Sequence, residues 1–210
     1  MTDDIESSAE QLEKASLENK RLWNATAAIT FAWANIENSM IMLLEKILNE
    51  NRTSSVSYAS AIYFAPSNIE TRFKIVDRAL EEFIYHHGLV GLADEWKACL
   101  KTLDNLKRTR NKVAHGHISS IHKNGKTYYR LTSPLFNMQE ARATYKNKQI
   151  PGLSANDLEN SLKATFEINQ RIREFTKLVE FIQMGDLPSY GRKLAELRAS
   201  REKSTDNRTV

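Results

Sequence analysis

A seven-residue spacing of apolar side chains constrains the fold more than any other feature of this 210-residue chain. The residues that follow this spacing, or interleave with it on the same helical face, are Leu22, Ile29, Trp33, Ile36, Met40, Leu43 and Ile47. The pattern places one apolar stripe along a long helix, which we predict from about Ser16 to Glu50. A helix of this length must bury its stripe against other helices, or against its own copy in a second subunit.

Start and stop signals predict three further helices. The Ser67–Glu70 segment has the Ser-x-x-Glu spacing of a capping box, and Gly88 ends the helix that it opens. A third helix is predicted from about Leu92 to Ala114. A second capping signal, Ser154–Asp157, opens the last long helix, which ends near Gly185.

Asn124-Gly125 interrupts this helical pattern. Asn-Gly is the dipeptide most typical of a two-residue hairpin turn, and the residues on either side favour strands. We therefore predict an all-α fold, a four- to five-helix up-and-down bundle with a small inserted β-hairpin at about 117–131. The predicted regions are an acidic N-terminal leader (1–16), a helical domain (17–186) and a basic, partly disordered C-terminal tail (187–210).

Cysteine and histidine usage disfavours several kinds of site. Cys99 is the single cysteine, and on an apolar face we expect it to be a core residue. The adjacent His86 and His87 point about 100° apart on a helix and are poorly placed to chelate one ion. We predict no metal site and no cofactor. Because residues 1–20 are polar and the apolar run Met40–Leu44 is far shorter than the ~20 residues of a membrane span, we predict a cytoplasmic protein that does not enter a membrane.

The charge of the chain is unevenly distributed, although its net value is only +4. From Asn105 to Gln139 there is no Asp or Glu, whereas the same stretch holds seven Lys or Arg residues and three of the five histidines. A positive block of this kind attracts polyanions and suits phosphate contacts. A solvated basic face without a partner is the alternative interpretation.

Arg110 is the least expected residue of this block. Leu106 and Leu103 precede it by four and seven residues, which places Arg110 on the apolar stripe of its helix. A guanidinium there must be paired or must line a cavity. His115 follows five residues later, about 140° further round an ideal helix. The two side chains can serve one cleft only if the helix end unwinds, or if two subunits each contribute a set. Gly116 supplies the expected helix terminator.

Arg110 and Asn111, followed after a short helical spacer by His115, resemble the signature of the HEPN superfamily. The resemblance covers roughly residues 17–185, and only the seven residues ending at Gly116 are specific. It implies a HEPN-like helical domain at 17–186, a bundle of four or five helices that is usually dimeric. Many such domains are metal-independent ribonucleases of toxin–antitoxin, phage-defence or RNA-processing systems.

The resemblance also implies roles for individual residues. The 2′-hydroxyl of RNA is the nucleophile, so that no cofactor is needed. His115 moves the proton, Arg110 stabilises charge on the phosphoryl oxygens, and Asn111 orients the phosphate or the histidine. The expected products carry a 2′,3′-cyclic phosphate and a 5′-hydroxyl. The residues predicted to contact nucleic acid are Lys107, Arg108, Lys112 and His117.

Two other interpretations stay open. Some HEPN domains keep the fold as non-catalytic modules that bind a partner protein, a nucleotide or a nucleic acid. Arg110 can also serve only to anchor helix packing, with His115 and Gly116 ending the helix. The expected partners are RNA, an antitoxin or other protein, and a second copy of the chain.

Overall fold

The computed structural model describes residues 2–48, 57–123, 125–133 and 150–206. Within these ranges the chain is mainly helical, with one two-stranded antiparallel sheet. The elements are α1 (Thr2–Ile47), α2 (Tyr58–Phe64), α3 (Ile69–His86), α4 (Val90–His115), β1 (His117–Lys123), β2 (Lys126–Thr132), α5 (Ala155–Gln183) and α6 (Leu187–Asp206). The predicted helical class and the predicted hairpin are confirmed. Asn124 and residues 134–139 of the basic block lie outside the described residues.

The chain divides into two compact units. The hairpin unit comprises Met1–Trp33 and Asp104–Phe166, and the second unit comprises Ala34–Leu103 and Glu167–Val210. α1, α4 and α5 each contribute residues to both units.

The apolar stripe of α1 is buried as predicted. Leu22, Ile29, Ile36 and Leu43 are all 0% exposed, and Trp33 and Met40 are also buried. α1 nevertheless begins at Thr2 and not near Ser16, so that the predicted leader is part of the helix. Residues 2–15 contain no glycine or proline, and acidic residues in the first turns of a helix are favoured by its dipole.

Two helix starts test the capping predictions. At α5, Ser154 Oγ accepts from the Asp157 backbone N–H (3.2 Å) and the Asp157 carboxylate accepts from the Ser154 N–H (2.8 Å), which confirms that signal. At α3, the predicted Ser67 cap is wrong. Asn68 is the N-cap, and its side-chain oxygen accepts from the Thr71 N–H at 2.7 Å. Asparagine caps as well as serine does, so the two neighbours compete and the helix starts one residue later.

α5 is held against α1 in the hairpin unit by one polar cluster. Arg21 of α1 donates from Nε and Nη2 to the two carboxylate oxygens of Glu159, at 3.0 and 2.6 Å. Nη2 also donates to the side-chain oxygen of Asn156 at 2.7 Å. The bidentate pair fixes direction as well as distance, so it orients the first turns of α5 along α1.

α6 is tied into the second unit by ion pairs. Glu95 of α4, whose side chain is 2% exposed, pairs with Arg171 of α5 (3.1 Å) and with Arg201 of α6 (2.9 Å). Glu174 of α5 pairs with Lys193 of α6 at 2.7 Å. The sequence predicted a basic, partly disordered tail at 187–210. In the structure α6 runs from Leu187 to Asp206, and its cations pair with buried carboxylates on α4 and α5.

One stretch among the described residues, Leu12–Ile47 of α1, is long and apolar enough to cross a membrane by length and composition. Half of its most apolar window is buried inside the fold. A buried core helix passes the same test, and the predicted cytoplasmic location stays a prediction.

Candidate functional site

α4 stays helical through the whole signature. It ends at His115, and the Gly116 N–H donates to the Lys112 carbonyl at 2.7 Å. The helix therefore does not unwind between Arg110 and His115. Five residues of regular helix separate the two side chains by about 7.5 Å along the axis and about 140° around it. Arg110 and His115 can therefore serve one cleft only if two subunits each contribute a set.

Four polar residues form one exposed face at the end of α4. Arg108, Asn111, Lys112 and His115 are all exposed and fall within an arc of about 100°. Their spacings of three and four residues make their side chains neighbours. Among the described residues, neither Arg108 nor Lys112 has an ion-pair partner. We call these four residues the His115 face. Its cations are free to meet phosphates.

Arg110 lies on the other side of α4. It shares that side with Leu106 and Val113, as the counting predicts, but the side chain is only partly buried. Its Nη1 donates to the side-chain oxygen of Asn111 at 3.2 Å. Arg110 thus has a hydrogen-bond partner, and it is less buried than its place on the apolar stripe indicates, because a long guanidinium stem can bury its methylenes while its head reaches solvent.

Asn111 links the two sides of the helix. Its oxygen accepts from Arg110, so its amide N–H groups remain as donors on the His115 face, one turn before His115. Arg110 is thus hydrogen-bonded to Asn111, whereas its own side chain diverges from that of His115. This arrangement allows Arg110 to set the orientation of an amide on the His115 face.

The four residues predicted to contact nucleic acid do not all lie on one surface. Arg108 and Lys112 belong to the His115 face. Lys107 pairs with Asp104 at 3.0 Å and is partly buried, so it is not a free phosphate contact. His117 is exposed at the start of β1, and its Nε2 lies 3.3 Å from the Thr132 hydroxyl.

An acidic residue from outside the basic block pairs with one of its arginines in the fold. Arg130 of β2 donates to the Glu18 carboxylate of α1 at 2.7 Å, and both side chains are largely buried. Sequence reasoning did not single out Glu18, which lies 112 residues away along the chain. The charge of Arg130 on β2 is therefore compensated by Glu18, which the sequence did not indicate.

Gly116 holds the hairpin close to the end of α4. α4 ends at His115, directly before Gly116, as the sequence predicted, although Gly116 is not one of the glycines with positive φ. A Cβ at this position would lie 2.8 Å from the Thr132 carbonyl oxygen and would also collide with the Lys112 carbonyl oxygen. Glycine is required here because two backbone segments approach closely.

The described residues contain no group of three or more His, Cys, Asp or Glu placed to hold a metal ion. His86 ends α3, and the ring of His87 stacks on Phe83 at 4.2 Å. Cys99 is 0% exposed, which confirms it as a core residue, and burial raises the pKa of its thiol to about 12. A thiol in that state is not a nucleophile.

Comparison with known proteins does not identify a family for this chain. A scan against models of known protein families found no match, and searches of curated proteins and of solved structures found none either. The HEPN resemblance therefore depends on the signature at the end of α4.

Proposed function

We propose that this chain is a HEPN-type endoribonuclease that cleaves RNA without a metal ion. The observation that carries the proposal is the His115 face: an exposed histidine beside Asn111, Lys112 and Arg108, on the last two turns of α4. Cationic side chains and amide donors suit the phosphates of RNA, and an imidazole can both accept and donate a proton. The cytoplasm and a toxin–antitoxin or defence setting belong to the same proposal.

The reaction needs a proton acceptor, a proton donor and a positive environment. The RNA 2′-hydroxyl attacks the adjacent phosphorus and loses its proton to a histidine, while the 5′-oxygen leaves with a proton from a second acid. Asn111 donates to a phosphoryl oxygen, and Lys112 and Arg108 hold the flanking phosphates. Arg110 orients Asn111 through their hydrogen bond. The products are a 2′,3′-cyclic phosphate and a 5′-hydroxyl.

A homodimer completes this site in our proposal. A two-fold axis that brings two α4 ends together supplies one His115 as base and the His115 of the partner subunit as acid. The up-and-down bundle of four or five helices is part of the same proposal.

α1 offers a surface for the second copy. Trp23 is 59% exposed and Phe31 is 74% exposed, and Ala27 lies between them on one side of the helix. An aromatic patch of this kind on a helix is typical of a contact with another chain.

The first experiment compares wild type with His115→Ala on mixed RNA in the presence of EDTA. Cleavage by wild type alone, leaving cyclic phosphate ends, is the expected outcome. His122→Ala is the matched control, since His122 is also exposed but lies on β1. Equal cleavage by wild type and His115→Ala, or none by a folded wild type, contradicts the proposal.

A non-catalytic HEPN-like module is the second candidate. The observation in its favour is that Arg110 is partly buried and, among the residues that the structure describes, hydrogen-bonds to its neighbour Asn111 alone, as a packing residue would. In that case Arg110→Ala lowers the melting temperature, and RNA, protein or nucleotide binding occurs without cleavage. An enzyme instead gives an Arg110→Ala protein that is well folded and inactive.

A further inference from the structure

A cavity of about 430 Å³ lies in the second unit, where α3 turns into α4. Its walls are mostly apolar, and Trp96 and Ile84, both buried, contribute to them together with Ala93. This volume falls within the range of small-molecule sites, which are about 300–1,000 Å³ and apolar with few polar groups.

The turn that closes the cavity is rigid. The Leu89 N–H donates to the Ile84 carbonyl (3.0 Å) and the Gly88 N–H donates to the Tyr85 carbonyl (3.2 Å), which is a Schellman motif with Gly88 at φ 64°. The cavity wall is therefore preformed, and a ligand does not have to organise it.

Trp96 lines the cavity without a free hydrogen-bond donor. Its Nε1–H already donates to the Asp77 carboxylate at 2.9 Å, so the indole has no hydrogen bond left to offer. An apolar or aromatic group is what such a wall accepts. At the rim, the ring of Tyr85 is 80% exposed and extends this aromatic surface.

Two charged residues, Glu81 and Lys97, lie at the rim of the cavity. Glu81 is already paired with Arg78 of the same helix at 2.7 Å. Lys97 is exposed and has no ion-pair partner among the residues that the structure describes. The uncompensated charge at the rim is therefore a single ammonium group. One ammonium suits one carboxylate, whereas a polyphosphate would leave most of its charge unmatched.

We propose that this cavity binds a small organic acid with an apolar or aromatic body, seated on Trp96, and one carboxylate paired with Lys97. The site is separate from the proposed RNA chemistry and does not depend on it.

The test uses 3-phenylpropionate as the probe and the neutral 3-phenylpropanol as its matched comparison. Binding is followed through the indole N–H signals of the three tryptophans in a ¹⁵N-labelled full-length chain, with Trp96 assigned by Trp96→Phe. We expect a saturable shift of the Trp96 signal with the acid, and about fivefold weaker binding of the acid to Lys97→Gln, since exposed ion pairs contribute up to about 1 kcal/mol.

Two further variants make the test decisive. Lys101→Gln changes an exposed lysine one turn further along α4, outside the cavity, and should bind the probe as wild type does. Ala93→Leu fills the cavity and should abolish the shift while the fold is retained. No saturable shift in wild type overturns the proposal. Equal binding of the acid and the alcohol, with Lys97→Gln unchanged, overturns the assignment of an acid.

Discussion

The proposed chemistry depends directly on the orientation of the Asn111 side chain. Its oxygen is occupied by Arg110, so that only donors face the ligand side. Asn111→Asp keeps an acceptor for Arg110 but places a negative charge where phosphate binds. We expect the cleavage rate to fall by about 10²-fold or more, the usual loss when one donor to a developing oxyanion is removed.

Asn111→Ala provides the comparison. It removes the donor without adding charge, so its RNA affinity should exceed that of Asn111→Asp when both are measured at one salt concentration. Equal cleavage by wild type and Asn111→Asp rules out a donor role for this amide.

The close packing of backbone atoms around Gly116 leads to a prediction that does not involve catalysis. Gly116→Ala pushes a methyl group onto two backbone carbonyls that cannot turn away, and overpacking of this kind costs about 1–3 kcal/mol. Gly191→Ala in α6 is the matched control. Its Cβ meets no atom within 4 Å, and alanine is favoured over glycine in a helix, so stability should rise by about 0.5–1 kcal/mol. Urea unfolding of both variants checks the opposite signs.

At the residue scale, helical counting placed Arg110 on the apolar side of α4, away from His115. It did not reveal that Arg110 is hydrogen-bonded to Asn111, because a contact between adjacent residues depends on rotamers and not on periodicity. The Arg130–Glu18 pair was also missed, since nothing local marks a partner 112 residues away.

The start of α5 should respond to pH. The hydrogen bond from the Ser154 hydroxyl, helped by the Ser154 backbone N–H and by the charge of Arg130, lowers the pKa of Asp157 below its usual 3.8. A carboxyl whose pKa is lower in the folded state stabilises the fold above its unfolded pKa. That contribution is lost as the pH falls through the folded value.

Ser154→Ala should therefore cost about 1 kcal/mol near pH 7, the usual value of a helix cap. The difference from wild type should shrink below about pH 4, where the unfolded carboxyl becomes protonated. Urea unfolding at pH 7 and pH 3 measures both values. Asp157→Asn, which does not titrate, should also approach wild type in acid, and a cost of Ser154→Ala that grows in acid would contradict this account.

At the scale of helices and strands, patterns based on neighbouring residues predicted well. The stripe of α1, the hairpin and the cap of α5 all depend on spacings of two to seven residues. Element ends were predicted less well, as Asn68 shows, because adjacent residues with equal capping ability differ only in tertiary context. α6 was underestimated for a related reason. Its stability comes from Glu95 and Glu174 on other helices and not from its own weak apolar pattern.

For the whole molecule, the proposed dimer predicts a dominant effect of the inactive variant. When equal amounts of wild type and His115→Ala exchange subunits, only about one dimer in four retains two His115 side chains. Cleavage should then fall to about a quarter of that of the same total amount of wild type. If each site needed only one His115, cleavage would instead fall to about half of that of the same total amount of wild type.

His122→Ala is again the control, and mixing it with wild type should leave cleavage unchanged. Sedimentation equilibrium establishes first whether the chain is a dimer. A monomer that cleaves RNA would remove the need for the shared site and with it the explanation of the 140° separation.

The organisation of the whole chain was the least accessible from sequence. The boundary between the two units falls inside α1, α4 and α5, where no glycine, proline or change of composition marks it. Such a division arises from contacts between distant parts of the chain, which a single sequence does not display.

Gly116 has a consequence for how sequences of this type should vary. Its small size serves the meeting of α4 and the hairpin, whereas His115 beside it serves the cleavage that we propose. On that proposal, a descendant that loses activity is free to replace the histidine but must keep the glycine for as long as it keeps the hairpin. Two adjacent letters of one signature would then be under separate selection, and a search that treats them as one motif would overlook inactive members.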